Sequence, residues 1–489
     1  MKNIHKIIAL SFLLLATGCE DILSEDPRGA LTGTTALNSV EGLEAALTGA
    51  YKPLTITWGT GFATAATVAV LMGSDDLTTH SGSNKQDFRE FDQLQVTGLN
   101  GRITPIWSGC YKSIQGANNI INNYKNTAGD ASKIKQIAGE AYFLRAFDYY
   151  WLTRLWGKVP LITTADFSSE LLSVKNAEVK EIYTQIESDL NNAITMLADK
   201  KRDVGRSNKG AAKVLLADVY LTMAGWPLKE TAKYAEAAKL AKEVIDQKST
   251  FGFDLVPDLA TFYNNTVAGV ATSEEVFTLH FCGSCQWFTA NALYGSSAMP
   301  SDEGGWDDYF PELNFYNSFP EGLRKDLTFH TTFTKAGGVK ISWQEGQTKH
   351  PYYAKFRYTG GLNTSSTNSS LNLLRYPHLL LIYAEAKARA GTPDAQAYEG
   401  LNLIRKRAGL PALSGLSNEE FIKAVINEKS WEFAGEYTRW FDLQRLEMIE
   451  QVNTGKNPGD LKPAPVLSKK IYYLPVPNKD ITVNPNIGN

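Results

Sequence analysis

The chain is 489 residues long, with 43% hydrophobic and 21% charged side chains and a formal net charge of −3. That is ordinary globular composition with ample length for a large core, and it excludes both a charged disordered chain and a basic nucleic-acid binder. Aromatic residues make up 11%, ten of them Trp, so the positions of the tryptophans carry information.

Residues 1–18 have the build of a secretory signal: Lys2 and Lys6, an apolar run over 7–16, then small residues ahead of Cys19. The sequence Ala16-Thr17-Gly18-Cys19 fits a bacterial lipobox, with Ala16 where Leu is usual, so Cys19 is expected to begin the mature chain and to carry lipid. No later stretch offers the ~20 continuous apolar residues of a spanning helix. The expected protein is anchored on a membrane through Cys19 rather than threaded through it. Residues 19–35 are polar and turn-rich, suited to a tether, and the folded body is expected over 36–489.

A helix is predicted over 40–51 with Asn38 or Ser39 as its cap. An apolar stretch over 62–72 then runs into Gly73-Ser74-Asp75-Asp76 and a mostly polar loop over 77–98. Trp107, Tyr111, Ile114 and Asn118 recur at i, i+4, i+7 and i+11, one face of a single helix, with Cys110 beside it as a small apolar side chain. Residues 132–156 form the next helix, stopped by Gly157 and Pro160, and 181–197 returns antiparallel to it. Further pairs are predicted at 210–224 with 232–245 and at 376–390 with 394–407. Their first helices mix small residues with large ones: Ala141, Ala146 and Tyr149, then Ala212, Ala217 and Tyr220, then Tyr383, Ala384 and Ala388. Such pairs resemble tetratricopeptide repeats, whose small residues let helices approach closely and stack into a curved solenoid. The fold class is therefore expected to be mainly α.

Between 249 and 373 this texture gives way to Gly, Ser, Asn, Asp and aromatic residues, and so long an insertion in a compact chain is expected to bind something. Within it 275–281 reads as a strand and Cys282-Gly283-Ser284-Cys285 as a tight turn. A local disulfide between Cys282 and Cys285 is favoured, with free thiols next. Zinc would need more ligands than the nearby His280, and a thioredoxin-like site would need a βαβ setting. No metal or cofactor is expected, and no zinc-protease spacing, nucleophile elbow or P-loop is present. Asp302, Glu303, Asp307 and Asp308 could supply a pair of carboxylates for glycoside hydrolysis, but four acids in a polar loop are more often solvated or ion-binding; binding without catalysis is expected.

Six tryptophans, at 107, 151, 156, 226, 431 and 440, fall on predicted helices or their ends and read as packing residues. Trp58, Trp287, Trp306 and Trp343 fall in irregular segments, where binding residues concentrate. An indole stacks on the apolar face of a pyranose while neighbouring carboxylates bond its hydroxyls. Trp287, Trp306 and Trp343, with Asp302, Glu303 and Asp307, are accordingly the candidate sugar platform.

Near the C-terminus, Ser417 and Glu420 form a capping box, with Leu416 and Phe421 as the hydrophobic staple. Residues 427–446 read as two helical pieces joined at Gly435. Glu436, Arg439, Asp442 and Arg445 alternate in sign at intervals of three, which on a continuing helix would make a structural ladder of ion pairs. The run Glu432, Gly435, Arg439, Trp440, Phe441, Asp442, Leu443 and Arg445 resembles the C-terminal signature of the SusD/RagB family. Trp107, Tyr111 and Asn118 resemble its early helix, Glu140, Arg145, Gly157 and Pro160 its central helix and following turn, and Leu474-Pro475-Val476-Pro477 its terminal segment. The resemblance implies an outer-membrane, cell-surface lipoprotein with four tetratricopeptide-like units. Such a protein binds a glycan, or a peptide in the RagB manner, and delivers it to a SusC-type TonB-dependent transporter. It also implies that the loop after the early Asp pair joins the ligand face, which adds Asp76, His80 and Asn84. A pure protein-interaction scaffold of tetratricopeptide type is the other class left open.

Overall fold

The computed structural model describes residues 37–488, apart from 167, 286–288, 358–365 and 465. The expected leader over 1–18 and tether with Cys19, and Trp287, lie outside the described residues.

Four helix pairs form the scaffold. Helices α1 (Val40–Tyr51) and α2 (Thr104–Asn123) make the first, and α3 (Ala131–Trp156) and α4 (Val179–Met196) the second. The third is α5 (Lys209–Met223) with α6 (Lys233–Asp246). Helix α7 (Leu259–Ala268) opens the insertion, and α8 (Tyr376–Ala390) with α9 (Ala395–Arg407) forms the fourth pair. Each pair packs on the next, giving the tetratricopeptide-like helical solenoid. Local chemistry fixes the starts: Ser39 Oγ accepts from Gly42 N at 3.1 Å, and Asp130 accepts from Ser132 N at 2.8 Å. Ala141, Ala146, Ala212, Ala217, Ala384 and Ala388 are all fully buried, where a larger side chain would hold neighbouring helices apart.

The insertion is tied off at its base. Strand β1 (Glu275–Leu279) pairs antiparallel with β6 (Leu371–Arg375), Glu275 opposite Arg375, so the chain leaves the solenoid and rejoins it at one place. Between them, β2 (Phe329–His330) pairs with β5 (Tyr352–Tyr353), and β3 (Thr332–Thr334) with β4 (Lys340–Ser342). Phe310, Phe333 and Tyr352 form a small core of their own beneath Ile341 and Trp343. Residues 77–98 are not simply a polar loop, because Phe88 and Phe91 are buried by a short helix, Gln86–Asp92.

The C-terminal run departs from the expected ladder. Helix α10 (Asn418–Glu432) stops, Gly435 adopts φ +70°, and α11 (Arg439–Arg445) starts afresh, so Glu436 is on neither helix. A Cβ at Gly435 would stand 2.7 Å from the Tyr353 ring, so glycine is required by both φ and space. Only Asp442 and Arg445 pair as expected, at 2.8 Å. Glu436 instead bonds Lys355 at 2.7 Å and Arg375 at 2.9 Å. Arg375, with no exposed surface, also reaches Glu432 at 2.6 Å and Glu274 at 3.2 Å, while Arg324 holds Glu428 at 2.7 Å. Buried charges persist only when paired in this way, and the network ties Arg324, Lys355 and, through Arg375, Glu274 of the insertion to the stretch from Glu428 to Glu436.

Candidate functional site

Trp58 sits on a tight turn between α1 and α2, closed by a Thr55–Gly61 bridge and by Thr60 Oγ1 donating to Pro53 O at 2.8 Å. Its φ is +59°, a conformation that bulky residues avoid unless the surroundings impose it. Trp306 belongs to the insertion; its N–H donates to Ser296 O at 2.8 Å, and the next residue, Asp307, also has a positive φ of +56°. The two indoles meet with centroids 5.9 Å apart and planes inclined at 43°. They are 47% and 39% exposed and are the only large aromatic side chains so open among the described residues. Chain segments far apart in sequence thus present two adjacent rings to solvent.

A third segment completes the rim. Thr78 and Phe310 exchange backbone hydrogen bonds of 2.8 and 3.1 Å, Thr79 Oγ1 donates to Asp308 O at 2.7 Å, and Lys85 pairs with the Asp308 carboxylate. This brings His80 and Asn84 alongside the stretch that carries Trp306. The Nδ1 of half-buried His80 accepts from Gly82 N at 3.0 Å.

The acidic candidates lie under the rim and are engaged internally. Asp302 accepts from Gln347 N at 2.8 Å, and Asp307 accepts from Ser301 N at 2.6 Å and from the Tyr352 hydroxyl. Glu303 accepts from Thr334 N at 2.7 Å, from His330 at 3.0 Å and from Arg357. Burial pushes the Glu303 carboxyl up, but the bonds from His330 and Arg357 outweigh it and hold the group at about 2. Asp76 is fully enclosed, which corrects its expected place on the ligand face; it accepts from Ser74 Oγ at 2.6 Å and Gly435 N at 2.8 Å. Burial, with Asp75 beside it, lifts that carboxyl to about 6. Trp343 is half-buried edge-on against Tyr316 at 5.7 Å and pins the β3–β4 hairpin, apart from the Trp58–Trp306 pair. Cys282 and Cys285 are bridged, with Cα atoms 5.4 Å apart, and the turn is tied down by Cys282 N donating to Thr289 O at 2.9 Å. No group of three or more His, Cys, Asp or Glu side chains suited to a metal occurs among the described residues.

Two family models match the two ends of the chain, the "SusD family" over residues 284–489 and "Starch-binding associating with outer membrane" over 24–221. The chain belongs to the SusD/RagB family. It is 28% identical to SusD-like protein P2 of Formosa agariphila, covering 99% of this chain and 98% of that one. A SusD superfamily protein of Parabacteroides distasonis superposes with a TM-score of 0.78 at 26% identity, covering 91% of this chain and 98% of its own. A laminarin-binding SusD-like protein superposes at 0.76 with 24% identity over 91% of this chain and 98% of its own. In this SusD/RagB chain, Trp58 is the ligand-face candidate that sequence reasoning left out. It lies outside the insertion, and only tertiary contact pairs it with Trp306.

Proposed function

We propose that this protein is a lipid-anchored cell-surface receptor that captures a glycan on the Trp58–Trp306 face and delivers it to a SusC-type TonB-dependent transporter, with no chemistry of its own. The observation that carries it is the exposed indole pair. A folded chain keeps large aromatics out of water, and two adjacent rings left open on strained, hydrogen-bonded turns suit stacking on the apolar faces of sugar rings. His80 and Asn84 at the rim supply partners for hydroxyl groups. Asp302, Glu303, Asp307 and Trp343 are assigned to holding that face in shape. Family membership supports the glycan class and the transporter partner; laminarin is the first probe, because a chain of the same fold binds it.

The experiment is a glycan and peptide array probed with the soluble form that starts after Cys19, followed by calorimetry on laminarin and on each hit. Saturable glycan binding that Trp58→Ala and Trp306→Ala weaken is expected. Binding of peptides alone, or glycan binding indifferent to both substitutions, refutes the assignment.

A further inference from the structure

Residues 73–76 open the rim loop, and four separate contacts from the C-terminal signature region hold them. Arg439 clamps Asp75 through a two-bonded fork, Nε to Oδ1 and Nη2 to Oδ2, both at 2.6 Å. Gly435 N donates to Asp76 Oδ2 at 2.8 Å. Asn453 Nδ2 donates to Gly73 O at 2.8 Å, and the Trp440 ring lies so close that a Cβ on Gly73 would come within 2.3 Å of it. Tyr353, from the insertion, adds a hydrogen bond to Asp76 O. Two to three residues further on, the same loop makes the Thr78–Phe310 bridge and the Thr79–Asp308 bond that seat the Trp306 segment. An unbroken chain of short contacts therefore runs from Arg439 to the indole pair.

We infer that Arg439, acting through Asp75, is a positioning residue of the ligand face: the C-terminal signature sets the register of the 73–85 loop and through it the placement of Trp306 against Trp58. This rests on the proposal that the pair is the ligand face, and it goes beyond it by giving the signature residues a binding role rather than one in solenoid packing alone. The exposures agree with this. Arg439 and Asp75 keep 11% and 19% of their side chains open, whereas Arg375, at the centre of the buried network, keeps none. A planar fork matched to a carboxylate fixes direction as well as distance, which a lysine at the same place does not.

The test needs no ligand. Two indoles 5.9 Å apart couple electronically, so the pair contributes an exciton couplet to the circular dichroism spectrum, defined here as the part that Trp58→Phe removes. Asp75→Asn and Arg439→Lys are compared with wild type for that couplet, for hydrogen exchange mapped by mass spectrometry, and for melting temperature. Expected in Asp75→Asn are a diminished couplet and roughly tenfold faster exchange confined to residues 76–85 and 306–310, as local opening requires. Arg439→Lys, which keeps the charge and loses the fork, should fall between. An undiminished couplet with unchanged exchange overturns the inference, as does a rise spread evenly over α3–α6 with a matching fall in melting temperature. Laminarin binding is measured in parallel: loss of the couplet in a protein whose wild type binds no glycan sinks the proposed function and leaves the positioning role standing.

Discussion

Replacing Trp58 and Trp306 together by Ala should abolish most glycan capture and leave the scaffold intact. The open shares of the two rings are 47% and 39%. For a side chain presenting roughly 250 Å², that leaves about 100 Å² of each indole in water. A sugar laid on one face covers about half of it, and ~50 Å² at about 25 cal/mol per Å² gives ~1.3 kcal/mol per ring, close to tenfold in affinity. The double variant should therefore bind up to about a hundredfold more weakly, less if both rings touch one sugar unit and the losses do not add. Calorimetry of both single variants and the double against one glycan forms a closed cycle, with urea midpoints as the control. Those midpoints should barely move, because substitutions at exposed positions usually cost within about 0.5 kcal/mol. A double variant that binds within about twofold of wild type would refute the platform. A large fall in its urea midpoint would show that the rings hold the turns together instead.

Glu385 is enclosed beside Arg445, bonded at 2.7 and 2.6 Å, and although burial pushes its carboxyl up, Arg445 and Arg389 hold it at about 2. A carboxylate depressed on folding stabilises the fold above its ordinary pKa and loses that contribution as pH falls, here ~3 kcal/mol lost between about pH 5 and 2. Glu385→Gln should lower stability at neutral pH and flatten that acid limb in urea titrations; a limb parallel to wild type would contradict it. Arg375→Met leaves three buried carboxylates short of a partner and should cost about 3–5 kcal/mol, read as a fall in urea midpoint. Gly73→Ala drives a methyl into Trp440 and should cost about 1–3 kcal/mol in the same assay, with no change meaning that the loop gives way freely. Cys19→Ser should move the protein from the membrane fraction to the soluble one, and a soluble wild type would rule out the anchor.

The helix pairs were legible because they are local: capping residues, the i, i+4, i+7 face of Trp107, Tyr111 and Ile114, and the alanines of α3, α5 and α8 all lie within a few turns of one another. The ladder was misjudged because one glycine decided the matter. Sign alternation from Glu436 to Arg445 assumes a continuous helix, and at φ +70° Gly435 directs Glu436 and Arg439 to partners in other parts of the chain. The proposed ligand face was legible only in part. Trp306 stood out as an aromatic in an irregular segment, but nothing near Trp58 announces that Trp306 will be its neighbour. Asp302, Glu303 and Asp307 stood out by their polarity, but the backbone N–H each accepts from elsewhere in the insertion is a contact no local pattern reveals.

The clamp on the rim loop joins residues 364 positions apart, Asp75 to Arg439, and 359 apart, Asp76 to Gly435. Contacts of such sequence separation form late, since the chain must first lose the freedom of the long loop they close. During synthesis α1 to α6 can stack as each emerges, but the rim cannot be set until the last stretch of chain has arrived. Competence to bind thus becomes a marker of a finished molecule: a chain cut short before Arg439 would carry both tryptophans and lack the contact that orders the loop beside them.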